Sequence, residues 1–217
     1  MVESFFARDI VKEKAVAKFL DNHFYPLMTT DFYRFSDIDA QMEGKDVCFT
    51  LLNLHKIVVD EKAQTSYINK NLPTFAFEVA YSKDNKLKDG WLFDESKKTQ
   101  FYFLIWVKAT KTYGITHEDI TELDCLLVDR KDITDYLVTK NITNKTLKDD
   151  IKHIVEENKS QKQTYKSDNE VYFYYSTQLA EKSINIVMRR NILDKLAFKH
   201  FKITKDEIRM ISKALSN

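Results

Sequence analysis

Three charged residues at the end of an apolar run, Asp60, Glu61 and Lys62, are the side chains in this chain most suited to chemistry. The preceding Ile57-Val58-Val59 segment is β-branched, which favours a strand, and a strand directs alternate side chains to opposite faces. We therefore expect Asp60 and Lys62 to share one face while Glu61 points to the other. Because burying a charge is costly unless the charge is paired or binds a metal, the Asp60 face needs a partner.

A second acidic position, Asp39, lies on a strand that the two-residue period predicts over residues 32–42. If Asp39 and Asp60 converge, they form a site for Mg²⁺, because hard divalent cations prefer carboxylate oxygens. Such a cation makes a bound water a better nucleophile by lowering its pKa, and Lys62 would orient that water or offset the charge of a phosphate. These groups predict hydrolysis of a phosphodiester bond. Asp37 shares the face of Asp39 on the predicted strand and remains an alternative metal ligand.

This combination resembles the PD-(D/E)XK nuclease superfamily, in which an Asp on one strand and an acid-x-Lys triplet on the next follow an initial helix. Asp39 and Asp60-Glu61-Lys62 match those positions, with Ile38-Asp39 where the family pattern has Pro-Asp. The resemblance covers residues 5–128 and implies a restriction-endonuclease-like core, Mg²⁺ or Mn²⁺ as cofactor, and DNA as the expected substrate. It also implies auxiliary catalytic positions at Glu13, on the first helix, and at Gln64, just past the lysine.

Two other interpretations fit the same residues. Ion pairs on the surface of an ordinary sheet contribute only about 0–1 kcal/mol each and would give Asp60 and Lys62 no chemical role. A catalytically inactive module that keeps the nuclease-like fold would bind nucleic acid, or assemble with other proteins, without cleaving anything. Convergence of Asp39, Asp60 and Lys62 within metal-binding distance would favour the enzyme.

Composition and motifs argue against several other classes of protein. Only 3 Gly occur, and no Gly-x-Gly-x-x-Gly or Walker-type loop is present, which argues against nucleotide-fuelled chemistry. The 5 His are widely spaced, which argues against a zinc site, and no Gly-x-Ser-x-Gly elbow supports a nucleophilic serine. Because the 2 Cys lie in apolar runs and neither a signal peptide nor a membrane-length apolar run is apparent, we expect a cytoplasmic protein without disulfides or a membrane partner.

Periodicity and β-propensity predict the elements that would position these residues. Apolar residues three and four positions apart predict an amphipathic helix over 5–22. Strands are predicted at 47–52 and 56–64 as an antiparallel hairpin, at 101–107 as a buried central strand, and at 74–81, 123–128, 171–175 and 184–188. Further helices are predicted at 91–99, 133–140, 147–157, 191–201 and 205–215. This order indicates an α/β (α+β) fold, with a mixed central sheet flanked by helices in residues 1–140 and extra helices and strands in residues 141–217, packed on that core.

Late basic residues and several aromatic residues each fit two roles. Six cations would either contact phosphates, since binding to a nucleic-acid backbone is largely electrostatic, or form a solvated surface: Arg189, Arg190, Lys195, Lys199, Lys202 and Arg209. The same region would suit a homodimer, which doubles the active sites of an enzyme that cuts both strands. Five aromatic residues fit either the core or a base-stacking platform: Tyr102, Trp106, Tyr172, Tyr174 and Tyr175.

Overall fold

The computed structural model describes residues 5–51, 55–83, 86–157, 161–162, 166–177 and 182–212. Its α-helices are α1 (Phe5–His23), α2 (Tyr25–Met28), α3 (Ile38–Met42), α4 (Arg130–Thr139), α5 (Asn144–Glu157) and α6 (Arg190–Leu196). Its strands are β1 (Tyr33–Arg34), β2 (Val47–Thr50), β3 (Lys56–Ala63), β4 (Thr74–Lys83), β5 (Lys86–Asp89), β6 (Phe101–Ala109), β7 (Ile120–Asp129), β8 (Gln161–Lys162), β9 (Val171–Ser176), β10 (Lys182–Arg189), β11 (Lys199–Ile203) and β12 (Ile208–Ile211). Thr65–Tyr67 and His117–Asp119 form short 3-10 helices.

The chain divides into two compact units, each built from separate chain segments. Unit 1 contains Met1–Leu72, Lys98–Asp129 and Ala197–Asn217, and unit 2 contains Pro73–Lys97 and Arg130–Leu196. Unit 2 joins segments that are distant in sequence because β4 pairs with β10 on one side and with β5 on the other. Strand propensity identifies a strand but not its partner.

Unit 1 is built on a mixed seven-stranded sheet in the order β1-β2-β3-β6-β7-β11-β12. The predicted antiparallel hairpin of β2 and β3 is present, and the predicted buried strand β6 lies at the centre of the sheet. β3 and β6 run parallel, with Asp60 opposite Tyr102 and Lys62 opposite Leu104. The α+β class with a mixed central sheet and helices is therefore confirmed.

Helix α1 packs on one face of this sheet and fixes the orientation of β3. Its buried residues Val16, Phe19 and Leu20 belong to the same core cluster as Val59 and Phe103. Since strand residues alternate between faces, Asp60 and Lys62 are directed to the opposite side of the sheet from this core.

Unit 2 contains a five-stranded antiparallel sheet in the order β5-β4-β10-β9-β8. One face of the sheet buries a continuous set of apolar and aromatic side chains: Phe75, Phe77, Val171, Phe173, Tyr175, Ile184, Ile186 and Met188. Helix α6 contacts β10, and α4 contacts α6. The apolar surfaces of the helices are buried as well, through residues such as Ile133 on α4 and Leu193 on α6.

Several predicted elements are wrong. Residues 32–42 form only the short strand β1 and then α3, because the Asp37 carboxylate caps the helix by accepting from the Ala40 N–H at 2.7 Å. Residues 91–99 form turns rather than a helix. The helices predicted at 191–201 and 205–215 are replaced by α6 followed by β11 and β12, since β11 pairs with β7 and buries Phe201 and Ile203. Positions 52 and 213–215 lie outside the described residues.

None of the helices within the described ranges is both long and apolar enough to cross a membrane.

Candidate active site

Asp60 and Lys62 lie near the end of β3 and form an ion pair. Asp60 is only 2% exposed, and the Lys62 Nζ lies 2.8 Å from its Oδ1. The Lys62 side chain remains 30% exposed, so it connects the buried carboxylate to the surface. The alternation of β3 therefore places these two groups side by side, as the sequence predicts.

Asp46, the residue immediately before β2, supplies a second carboxylate to this pair. The antiparallel hairpin brings it beside β3, where its N–H donates to the Val59 carbonyl at 3.1 Å. Its Oδ2 accepts from the Glu61 N–H at 2.7 Å, which fixes the carboxyl group over the strand. The hairpin register thus joins Asp46 and Asp60.

Burial and the neighbouring Asp60 carboxylate raise the pKa of Asp46 to about 6. A hydrogen bond between the two carboxyl groups acts in the same direction, while Lys62 and the Glu61 N–H act against it. The lysine responds in the opposite sense: burial lowers its pKa, but Asp60 and Asp46 outweigh burial and the pKa of Lys62 is raised. Negative charge therefore exceeds positive charge at this site, and Lys62 stays protonated at neutral pH.

Glu13, on α1, contributes to the same electrostatic environment. Glu13 is exposed as a residue, but protein atoms around its carboxyl group partly desolvate that group, and this desolvation raises the pKa of Glu13. The charge of Lys62 opposes this rise and the charge of Asp46 adds to it. The predicted helix residue thus lies within electrostatic reach of the carboxylate pair.

The other predicted site residues are distributed differently. Asp39 lies on α3 rather than on a strand and is exposed, and no described hydrogen bond or ion pair joins its side chain to Asp60 or Lys62. Asp37 is the N-cap of the same helix. Gln64 directly follows β3, is partly buried, and donates its N–H to the Ile105 carbonyl at 2.9 Å. The structure therefore joins Asp60 and Lys62 in an ion pair, with Glu13 close enough to interact electrostatically with Lys62, and leaves Asp39 apart from them.

The sequence patterns did not single out Asp46, which immediately precedes the strand predicted at 47–52. The signal that could have identified it is the predicted hairpin itself: an acid at the start of one strand lies next to the end of an antiparallel partner. The sequence around Asp39 has a two-residue period, which predicted a strand there. In the structure this segment is instead the N-cap Asp37 followed by the helical turn that contains Asp39.

The opposite face of β3 carries a different charged network around Glu61. The Arg34 Nη1 and Nη2 atoms donate to the two carboxylate oxygens of Glu61, both at 2.9 Å, and its Nε donates to Asp21 at 2.8 Å. The Tyr25 hydroxyl donates to Glu61 as well. Every oxygen of Glu61 therefore has a donor, and this network joins β3 to β1, α1 and α2.

The donor set on the Asp60 face fits a hard divalent cation. Within the described residues, no group of three or more His, Cys, Asp and Glu is placed to hold a metal ion. Mg²⁺, however, usually takes one or two protein carboxylates and completes its coordination with waters and substrate phosphates. The Asp60 carboxylate repels the Asp46 carboxylate and raises the pKa of Asp46, and a bound cation would relieve this repulsion.

Comparison with protein-family models, with curated proteins and with solved structures finds no match to this chain in any of the three.

Proposed function

We propose that the chain is a Mg²⁺- or Mn²⁺-dependent nuclease of the PD-(D/E)XK type that acts on nucleic acid, with DNA as the expected substrate. The observation that supports it is the convergence of Asp46, Asp60 and Lys62 at one end of the β2–β3 hairpin. In this proposal Asp46 takes the metal-binding role that the sequence first suggested for Asp39.

The arrangement of strands in unit 1 supports a restriction-endonuclease-like core as part of the same proposal. The antiparallel β2–β3 hairpin is followed by a parallel β6 and an antiparallel β7, and α1 packs on one face. This order accounts for how an acid before β2 and an acid-x-Lys triplet on β3 meet.

Each residue would have a distinct part in hydrolysis. Asp46 and Asp60 would hold the cation, which supplies Lewis acidity toward a phosphate oxygen and toward the attacking water. Lys62, kept protonated by its carboxylate neighbours, would donate to a phosphate oxygen and offset charge that develops there. Glu13, whose pKa is raised, would exchange a proton with water at the edge of the site, and Gln64 would position substrate beside Lys62.

Nuclease assays with Mg²⁺ and Mn²⁺, on single-stranded and duplex DNA and on RNA, test this proposal. Asp46→Asn, Asp60→Asn and Lys62→Met should each lower the cleavage rate by roughly 100-fold or more, the scale on which single charge-stabilising groups act. Asp39→Asn is the matched control and should keep wild-type activity, since that aspartate is exposed on α3. Equal activity in the wild type and all variants, or loss in Asp39→Asn alone, would contradict the assignment.

A second candidate, a nuclease-like module that binds nucleic acid without cleaving it, is favoured by one observation. The Asp60–Lys62 ion pair is complete without a metal, and the described residues offer no three-ligand group. This candidate predicts DNA binding that weakens with salt, survives Asp60→Ala and is accompanied by no cleavage with either cation.

A further inference from the structure

The sheet of unit 2 has a second face that is polar and aromatic rather than apolar. Its three tyrosines, Tyr81, Tyr172 and Tyr174, alternate with the buried residues of β4 and β9 and are partly or fully exposed, with Tyr174 39% exposed. Asn185 lies directly opposite Tyr174 in the strand register. We call this surface, with the cations described below, the tyrosine face.

Cations lie at both ends of the tyrosine face. Lys88 is opposite Tyr81 on the edge strand β5, Lys86 follows on the same side of β5, and both are exposed. Arg189 lies at the other end, where β10 finishes, and is also exposed. None of the three forms an ion pair with a described residue. At about 3.4 Å per residue, the six steps from Ser183, beside Tyr81, to Arg189 span roughly 20 Å.

The charge on this face is complementary to a polyanion. Among the described side chains that β4, β5, β9 and β10 direct to this face, three are cations and one is acidic, namely Glu78, which is partly buried beside Asn185. Val187 is the only large aliphatic side chain on this face of β10, and it is 7% exposed, so the face offers little apolar area to a protein partner. Exposed rings between separated cations suit a chain whose bases present flat surfaces and whose backbone is anionic.

We propose that the tyrosine face binds single-stranded nucleic acid, with Tyr172 and Tyr174 stacking on bases and with Arg189, Lys86 and Lys88 contacting phosphates. Single strands are favoured over duplexes because only unpaired bases expose the surfaces on which tyrosine rings stack. This binding lies in unit 2 and does not depend on the proposed cleavage site, whose residues all lie in unit 1.

Fluorescence anisotropy with a labelled oligothymidylate of about 12 nucleotides, within the site sizes of single-strand binders, tests this proposal. Measurements on the full chain in EDTA prevent metal-dependent cleavage. Tyr172→Ala and Tyr174→Ala should each weaken binding by roughly 5- to 150-fold, which corresponds to the loss of one stacked base. Tyr174→Phe keeps the ring and should bind like the wild type.

Substitution of the cations should change both the affinity and its dependence on salt. Arg189→Ala and the double variant Lys86→Ala/Lys88→Ala should weaken binding and reduce the dependence of affinity on salt concentration. Tyr113→Ala, an exposed tyrosine in unit 1, and Lys131→Ala, an exposed lysine on α4, make the same chemical changes away from the tyrosine face and should leave affinity unchanged. Circular dichroism and thermal unfolding of each variant would identify any variant that fails to fold. Two of the variants, Tyr174→Phe and Lys86→Ala/Lys88→Ala, leave the buried face of the sheet intact, so the proposal can still be tested if an alanine variant of a tyrosine does not fold.

The outcomes separate this proposal from the nuclease assignment. An absence of oligothymidylate binding by the wild type, equal affinity in the tyrosine variants, or equal affinity for a duplex of the same length would each overturn it. Cleavage that is lost in Asp60→Asn while oligothymidylate binding is unchanged would support both proposals. Binding without cleavage in the wild type would support the tyrosine face and contradict the nuclease.

Discussion

The two faces of β3 carry charged clusters of opposite design. On one face, Glu61 is saturated by donors from Arg34 and Tyr25, so the carboxylate is fully hydrogen-bonded within the protein. On the other face, Asp46 and Asp60 share one lysine, and burial with mutual repulsion raises the pKa of Asp46 to about 6. Glu61 thus lies in a network in which its charge is balanced, whereas the adjacent Asp60 lies in a cluster where two carboxylates repel each other.

The difference indicates which cluster is structural and which is available for a ligand. A buried carboxylate whose two oxygens both accept hydrogen bonds, and whose charge is balanced by a guanidinium, joins elements together and gains little from a bound cation. A pair of buried carboxylates, in which repulsion raises the pKa of Asp46, gains free energy when a proton or a metal ion arrives, so the pair is a candidate for function. The presence of a carboxylate does not distinguish the structural cluster from the candidate ligand site, whereas the number of hydrogen-bond donors to that carboxylate does.

The largest expected effect comes from breaking the satisfied network. Arg34→Met would leave Glu61 and Asp21 without their cation, and we expect unfolding free energy to fall by about 3 kcal/mol, as for other partly buried pairs that lose one partner. Denaturant unfolding measures this loss. Asp60→Asn, one position from Glu61 on the same strand, is the matched control and should change stability little or increase it. Equal losses in both variants would contradict the distinction between the faces.

A smaller effect is expected in the pH dependence of stability. The Asp46 carboxyl ionises near pH 6 in the folded protein but at its ordinary value of 3.8 when unfolded, so between these values the folded state binds the additional proton. The contribution of this group to stability therefore falls as pH rises from about 4 to 6 and is constant above that. Asp46→Asn should remove the fall, gaining about 1–3 kcal/mol over the wild type by pH 7.

Denaturant unfolding at a series of pH values checks this expectation. Asp39→Asn, which changes an exposed aspartate, should keep the wild-type profile. An Asp46→Asn profile parallel to that of the wild type between pH 4 and 6 would show that the carboxylate pair is not strained.

The smallest effect is stabilisation by the cation. Mg²⁺ at ten times its dissociation constant should stabilise the folded protein by about 1.4 kcal/mol, a rise in Tm of about 3 to 6 °C. The gain should be absent in Asp46→Asn and Asp60→Asn and present in Glu61→Gln, whose altered carboxylate faces the other way. A shift of the same size in Asp60→Asn would place the cation elsewhere, and chelation with EDTA should reverse the effect.

Much of the fold was predictable because strong local patterns coincide with the final structure. The i, i+3, i+4 spacing identified α1, and the apolar runs identified β2, β3, β6 and β7, including the β2–β3 hairpin and the central position of β6. The failures at β11 and β12 share one cause. β11 and β12 carry helix-compatible sequence, and they become strands because pairing with β7 extends the sheet and buries Phe201, which local preference does not register.

The aromatic residues show the same limit at the level of single side chains. Tyr102, Trp106 and Tyr175 are buried, whereas Tyr172 and Tyr174 lie on the open side of β9. Tyr174 and Tyr175 are neighbours in sequence, and only the face that packs against the interior of unit 2 decides which of them is core.

The sequence by itself determined that Asp60 and Lys62 share a face at the end of a buried strand and that Glu61 opposes them, because alternation is a local property of β structure. Only the tertiary structure decided their partner. The hairpin register brings Asp46 to Asp60 and leaves Asp39 exposed on a helical turn, and register depends on which side chains must be buried together across the whole sheet. Tertiary packing likewise brought Arg34 to Glu61, which is 27 residues away in sequence but within hydrogen-bonding distance in space.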